Sequence, residues 1–311
     1  MENKHTNKKF QHIYVILNPI AGNSRVEDLR PVLEEHFTTA GLSYEIYETT
    51  GEEDIAEVAR KAREHGADLV VAAGGDGTVS GVVNGLVRQD VPLGIIPLGT
   101  GNGLARAMSI PLDPEQALRL LTEEHVIFPI DAMQVGDRYY ILNVSAGISS
   151  RAMRETSPEE KRSKGILAYA QTILKDLSQP KTSLFNLELD GLSVQIRAAE
   201  VLVANGSVLQ ETPILFGSRD QYQDGRLEVN ILTASDTADY VRLASELLLN
   251  PQEAKSDLQD LSVKDHIRLD VDGSPIPVQA DGELIGHTPV EIRLAPGALK
   301  IVTPVTGKDE A

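Results

Sequence analysis

The stretch ADLVVAAGGDGTVSGVVNGL, residues 67–86, limits what this chain can fold into more than any other. An apolar run ends in two glycines, an aspartate, a third glycine and a hydroxyl, then passes into a helical pattern. A loop of small residues between a strand and a helix exposes successive backbone N–H groups and the positive end of a helix dipole, a setting that holds phosphate oxygens. Glycine admits such a group without a Cβ in its way. Asp76 would repel a bare phosphate, so its place fits a bridging Mg2+ or water, or the orientation of a donor. A tight turn alone explains less, because PLGTGNGLAR at 97–106 has the same character one strand later. No GK followed by Ser or Thr is present, which excludes a Walker A loop, and the first strand leads into NPIAG rather than GxGxxG.

The flanking segments alternate. IYVIL reads as a strand with a sharp exit at Asn18 and Pro19, and EDLRPVLEEHFTTAGL carries Leu29, Val32, Leu33 and Phe37 at helical spacing. SYEIYETT alternates like a strand, EEDIAEVARKAREHG reads as an amphipathic helix, and a helix through VVNGLVRQ precedes the strand of LGIIPLGT. Strands separated by helices imply a parallel sheet covered on both faces, with ligands at the carboxyl ends of its strands. NPIAG, GGDGT and PLGTGN all fall at such ends. From about residue 130 the pieces become Val-, Ile- and Leu-rich strands punctuated by DG and PG turns, interrupted by helical patterns near GILAYAQTILKDL and ADYVRLASELLL. The expectation is an α/β protein with a Rossmann-like N-terminal domain over 1–130 and a β-rich, largely antiparallel domain over 131–297. The segment at about 298–306 is a candidate to return to the first domain.

Composition narrows the partners. Of 311 residues 41% are hydrophobic and 24% charged, ordinary for a globular chain, and no apolar run approaches the ~18 residues of a membrane span. The first residues, MENKHTNKKF, lack the apolar core of a signal peptide, and there is no cysteine, so a cytoplasmic protein without thiol chemistry is expected. A formal charge of -17 disfavours nucleic acid. One local exception is RAMRETSPEEKRSKG, where Arg151, Arg154, Lys161, Arg162 and Lys164 form either a solvated loop of mixed charge or a rim for acidic lipid headgroups.

NPIAG at 18–22, GGDGT at 74–78, PLGTGNGLAR at 97–106, DGRLEV at 224–229, QADGE at 279–283 and PGALKIVTP at 296–304 together resemble the diacylglycerol kinase and sphingosine kinase catalytic-domain family, in particular its soluble bacterial lipid kinases. The resemblance covers nearly the whole chain. GGDGT alone is shared with NAD kinases and, more loosely, phosphofructokinases, whereas the set is specific. The resemblance implies an NAD kinase/diacylglycerol kinase-like fold that uses ATP and Mg2+, with the nucleotide between two domains. The acceptor would be a hydroxyl of diacylglycerol, a sphingoid base or phosphatidylglycerol, met transiently at the membrane surface; a homodimer stays open.

Carried over by position, Asn18, Thr49, Gly74, Gly75, Asp76, Gly77, Thr78, Thr100 and Asn102 would form the nucleotide site. Glu283 matches the proton acceptor, and Asp281 is the rival for that role; by itself ADGE reads as a hairpin turn of solvated acids. Asp224 would hold a structural Mg2+ with carbonyls of Gln221 and Arg226. Two departures stand out: Gly81 and Gly103 replace acids common in the family, and the loss at Gly81 could weaken a polar contact near the phosphates. Competing readings are an NAD kinase-like enzyme of a soluble metabolite and a catalytically silent lipid-binding relative.

Overall fold

A computed structural model describes residues 9–21, 26–155, 182–206, 219–233 and 258–306. The chain divides into two compact units, Met1–Ile130 with Gly297–Ala311, and Asp131–Pro296.

The first unit contains β1 (His12–Leu17), α1 (Val26–Thr39), β2 (Ser43–Glu48), α2 (Ile55–Glu64), β3 (Leu69–Gly74), α3 (Asp76–Leu86), β4 (Leu93–Pro97), α4 (Gly103–Ala107) and α5 (Pro114–Leu120), followed by β5 (Val126–Val135), which continues into the second unit. Its strands run parallel in the order β2-β1-β3-β4. Every residue of LVVAAG in β3 is buried, as a parallel strand covered on both faces requires. Leu29, Leu33 and Phe37 of α1 are buried on the face that helical spacing assigns them. Asp54 caps α2 by accepting from the N–H groups of Ala56 and Glu57.

The helix after the glycine stretch begins at Asp76 itself, with Gly75 as its cap, and ends at Leu86. Its small residues face α2. A Cβ on Gly81 would stand 2.6 Å from the Ile55 Cβ, and one on Gly85 2.5 Å from the Ala59 Cβ. Gly81 is therefore a helix-packing position, and a contact near the phosphates is not what its missing side chain costs. Gly81→Asp is expected to lower unfolding free energy by about 1–3 kcal/mol, as overpacking does. Chemical denaturation checks this, and Ile55→Ala in the same chain should restore part of the loss.

The second unit contains β6 (Arg138–Tyr140), β7 (Asn143–Gly147), α6 (Ile148–Glu155), β8 (Ser183–Leu189), β9 (Leu192–Ala198), β10 (Glu200–Ala204), a 3-10 turn at Arg219–Gln223, β11 (Leu227–Leu232), β12 (Leu258–Val263), β13 (His266–Val271), β14 (Pro277–Ala280), β15 (Glu283–His287) and most of β16 (Val290–Thr303). One antiparallel sheet has the order β12-β11-β10-β7-β14-β15. In the other, β13 pairs antiparallel with β16 and β8, and β8 with β9. Alternate residues of both enter one core: Val144, Val201, Val203, Val229 and Ile231 from the first sheet, Phe185, Leu187, Ile267, Leu269 and Ile292 from the second. The last residues of β16 belong to the first unit, where Ile301 pairs with Leu93 of β4.

The helical patterns near GILAYAQTILKDL and ADYVRLASELLL lie outside the described residues, as do Lys161, Arg162 and Lys164. Among the described residues no helix is long and apolar enough to cross a membrane.

Candidate active site

In the first unit four loops leave the sheet at the same level. One step beyond β1, β2 and β4 the backbone still bonds to the neighbouring strand: Asn18 N–H donates to the Ala73 carbonyl, Thr49 N–H to Leu17 and Leu98 N–H to Gly74, each at 2.9 Å. The sheet thus fixes the height at which Asn18, Thr49, Gly75 and Gly99 begin their loops. Two of these loops are then joined side by side. Asn18 Nδ2 donates to the Thr78 Oγ1 at 3.1 Å, and Asn18 Oδ1 accepts from Ile20 N–H at 3.1 Å.

The glycines after β3 and β4 are needed first by each other. A Cβ on Gly99 would lie 2.7 Å from the Gly75 Cα, so two backbones cross where no side chain fits. Asp76 stands at this crossing. Its Oδ2 accepts from Asn102 N–H at 2.9 Å and its Oδ1 from Gly103 N–H at 2.6 Å. A Cβ on Gly101 would stand 2.6 Å from Oδ2. Asn102 sits in the left-handed region, φ 52°, and brackets the loop by accepting from Gly99 N–H at 2.9 Å and donating to the Gly99 carbonyl at 2.8 Å. An acid among glycines therefore has a local physical reason: it ties the second glycine loop to the first. Gly77, in the first turn of α3, faces open space, and Thr100 is exposed at the loop tip.

Glu53 was not legible as a site residue, yet it shapes the loop after β2. Its carboxylate accepts from Thr50 N–H at 2.9 Å, Gly51 N–H at 3.1 Å and the Thr50 hydroxyl at 2.9 Å. Those donors, the Thr50 backbone first, pull its carboxyl down to about 2. The signal was present in TTGEED, an acid three residues after a threonine, but it reads equally as first-turn helix charge. Thr49, beside it, is buried.

The two candidate bases lie in the second unit and differ sharply. Asp281, with φ 45°, accepts from the N–H groups of Ile141 at 2.7 Å, Leu142 at 2.9 Å and Asn143 at 2.9 Å. Burial pushes its carboxyl up to about 6 against the pull of these donors. Its oxygens close the link between β6 and β7. Glu283 keeps 44% of its side chain exposed and, among the described residues, pairs with Arg138 at 3.4 Å, whose guanidinium lies 5.5 Å from the centre of the Tyr140 ring.

At the DGRLEV turn, Asp224 accepts from Arg226 N–H at 3.0 Å, and Gly225 N–H donates to Asp131 Oδ2 at 2.8 Å. Partial burial, and then the charge of Asp131, raise the Asp224 carboxyl. Asp131 of β5 thus lies beside the turn that carries Asp224, and carboxylates are the donors that suit a divalent cation such as Mg2+. Among the described residues no group of three or more His, Cys, Asp or Glu side chains could hold one, so carbonyls such as those of Gln221 and Arg226 would complete the shell. Of the basic cluster, Arg154 is exposed, whereas Arg151 donates to the Ala199 carbonyl at 3.4 Å beside Glu200.

Residues 12–135 match the model of the diacylglycerol kinase catalytic domain, and residues 142–303 match that of the YegS C-terminal NAD kinase beta sandwich-like domain. The chain belongs to the family of the YegS C-terminal NAD kinase beta sandwich-like domain, with a diacylglycerol kinase catalytic domain ahead of it. Among relatives of the family, a diacylglycerol kinase of Bacillus subtilis is 28% identical over 83% of this chain and 88% of its own length. One of Staphylococcus carnosus is 24% identical over 93% and 94%. A solved structure described as a diacylglycerol kinase of Bacillus anthracis has a TM-score of 0.76 at 22% identity, covering 96% of this chain and 98% of that one. An NAD kinase of Archaeoglobus fulgidus, solved in complex with ATP, shares the fold at a TM-score of 0.52 and 16% identity, over 96% and 95% of the two chains.

Seen as a diacylglycerol kinase-type chain, its two departures have local explanations. Ile55 fills the space that an acid at 81 would need, and Gly103 contributes its N–H to Asp76 with nothing lost from that bond.

Proposed function

We propose that this chain is a lipid kinase that transfers the γ-phosphate of ATP, with Mg2+, to a hydroxyl of diacylglycerol or a closely related lipid. The observation that carries the reading is the double glycine crossing locked by Asp76, at the carboxyl ends of β3 and β4. It leaves the first turn of α3 clear of side chains at Gly77, where N–H groups and the helix dipole favour phosphate. Relatives named diacylglycerol kinase over most of the chain support a lipid acceptor, whereas the NAD kinase is similar in fold alone.

Phosphoryl transfer asks the protein for position and charge more than for covalent help. Asn18 and Thr78 join the loops after β1 and β3, Asp76 and Asn102 hold the loop after β4, and Glu53 holds the loop that follows Thr49. Mg2+ would offset phosphate charge when bound. Glu283 is the better candidate to take the proton of the attacking hydroxyl, since its oxygens face solvent while those of Asp281 are occupied by three backbone donors.

The test is incubation of the whole chain with labelled ATP, Mg2+, a total lipid extract and NAD+. Label in the organic phase, co-migrating with phosphatidic acid or another phospholipid, is expected. Label only in NADP+ would reject the lipid acceptor, and no labelled product would reject the kinase reading.

A further inference from the structure

The charge on the four loops poses a difficulty for a triphosphate. Among the described residues of the segments 18–21, 49–54, 75–78 and 98–102, every charged side chain is acidic: Glu52, Glu53, Asp54 and Asp76. The chain as a whole carries a formal charge of -17. Glu53 and Asp76 already accept backbone N–H groups and Asp54 meets Arg60, so a polyphosphate placed here adds negative charge that a fixed cation on the protein would help to offset.

Arg106, on α4, answers this need. Its Nε donates to the Gly101 carbonyl at 2.9 Å, which places the guanidinium against the loop that Asp76 clamps. Among the described residues it forms no ion pair with a carboxylate, and its Nη1 and Nη2 bond to no acceptor; the side chain is exposed. Among the described residues, two further guanidinium groups near these loops are already paired: Arg60 with Asp54 at 3.7 Å and Glu57 at 2.9 Å, and Arg30 with Glu34 and Glu48. A guanidinium fixed at Nε with both terminal nitrogens open is prepared for bidentate contact with phosphate oxygens.

We propose that Arg106 is a phosphate-binding residue of this site, held by the Gly101 carbonyl through Nε and offering Nη1 and Nη2 to the phosphate chain of the nucleotide. The inference rests on the kinase reading above. It assigns to α4 a direct role in binding, beyond that of a strut behind the glycine loop.

Calorimetric titration of the whole chain with ATP, ADP and AMP, at several salt concentrations, tests it. Arg106→Gln is expected to weaken ATP by about 10- to 100-fold, the range of a lost charge-assisted bond, ADP by less, and AMP by no more than about twofold. The salt dependence of ATP affinity should become shallower, because one fixed charge is gone. Arg106→Lys keeps the charge without the fork and should fall between the two. Thermal unfolding, followed in parallel, should not move. Unchanged ATP binding in Arg106→Gln overturns the proposal. So does an equal loss for all three nucleotides with the salt slope unaltered, which marks Arg106 as a strut for the Gly101 loop. If the wild-type chain binds no adenine nucleotide, the kinase reading itself fails, and the proposal fails with it.

Discussion

Glu283→Gln is expected to lower the maximal rate by about 100- to 10,000-fold, the usual loss of a general base, with nucleotide affinity close to wild type. Glutamine keeps the length and can still reach Arg138, so the change removes a proton acceptor and little else. Steady-state kinetics with a diacylglycerol substrate, alongside nucleotide titration, reads this outcome. Asp281→Asn is the comparison. Its amide would turn an N–H2 toward one of the three backbone donors now satisfied by Asp281, so its expected effect is on stability, visible as a lower denaturation midpoint. If Asp281→Asn slows the chemical step more than Glu283→Gln while both variants stay folded and bind nucleotide, Asp281 is the base. If both retain most of the rate, the ADGE stretch is a turn without a chemical role.

Asp76→Ala should remove turnover by a different route. The carboxylate accepts two backbone N–H bonds from the loop after β4, at 2.9 and 2.6 Å. Hydrogen bonds to a charged group contribute about 1.5–3 kcal/mol each, so their joint loss corresponds to roughly a 100- to 10,000-fold fall in kcat/KM if the loop must be in place for transfer. Nucleotide affinity should fall as well, in contrast to Glu283→Gln. Limited proteolysis near residues 99–103 should become faster, and the denaturation midpoint should fall, because the same two bonds are lost from the folded chain. Near-normal turnover in a folded Asp76→Ala protein would show that the clamp is dispensable.

Much of this was legible in the order of residues. The alternation of IYVIL, SYEIYE, LVVAAG and LGIIP with amphipathic helices points to a parallel sheet: IYVIL, LVVAAG and LGIIP are the continuous apolar runs of strands buried on both faces, and SYEIYE alternates as a half-exposed edge strand does. Glycine loops at the strand ends follow from the same pattern, since period and punctuation are local properties. The antiparallel character of the second unit is likewise written in its alternating strands and DG turns.

What tertiary structure alone decided were the partners of each polar group. Asp76 and Asn102 are 26 positions apart, Asp281 and Ile141 are 140 apart, and no local pattern announces either pair. Whether an acid waits for a ligand or is already saturated by backbone donors depends on which distant chain passes beside it. For that reason Asp281 and Glu283, two residues apart and alike in charge, look equivalent in sequence and differ in structure: one is half-buried with its oxygens taken by three N–H groups, the other keeps 44% of its side chain open to solvent. Gly81 makes the same point for packing. Its missing side chain reads as a lost acid until α2 comes to lie against it, and then Ile55 supplies the steric reason.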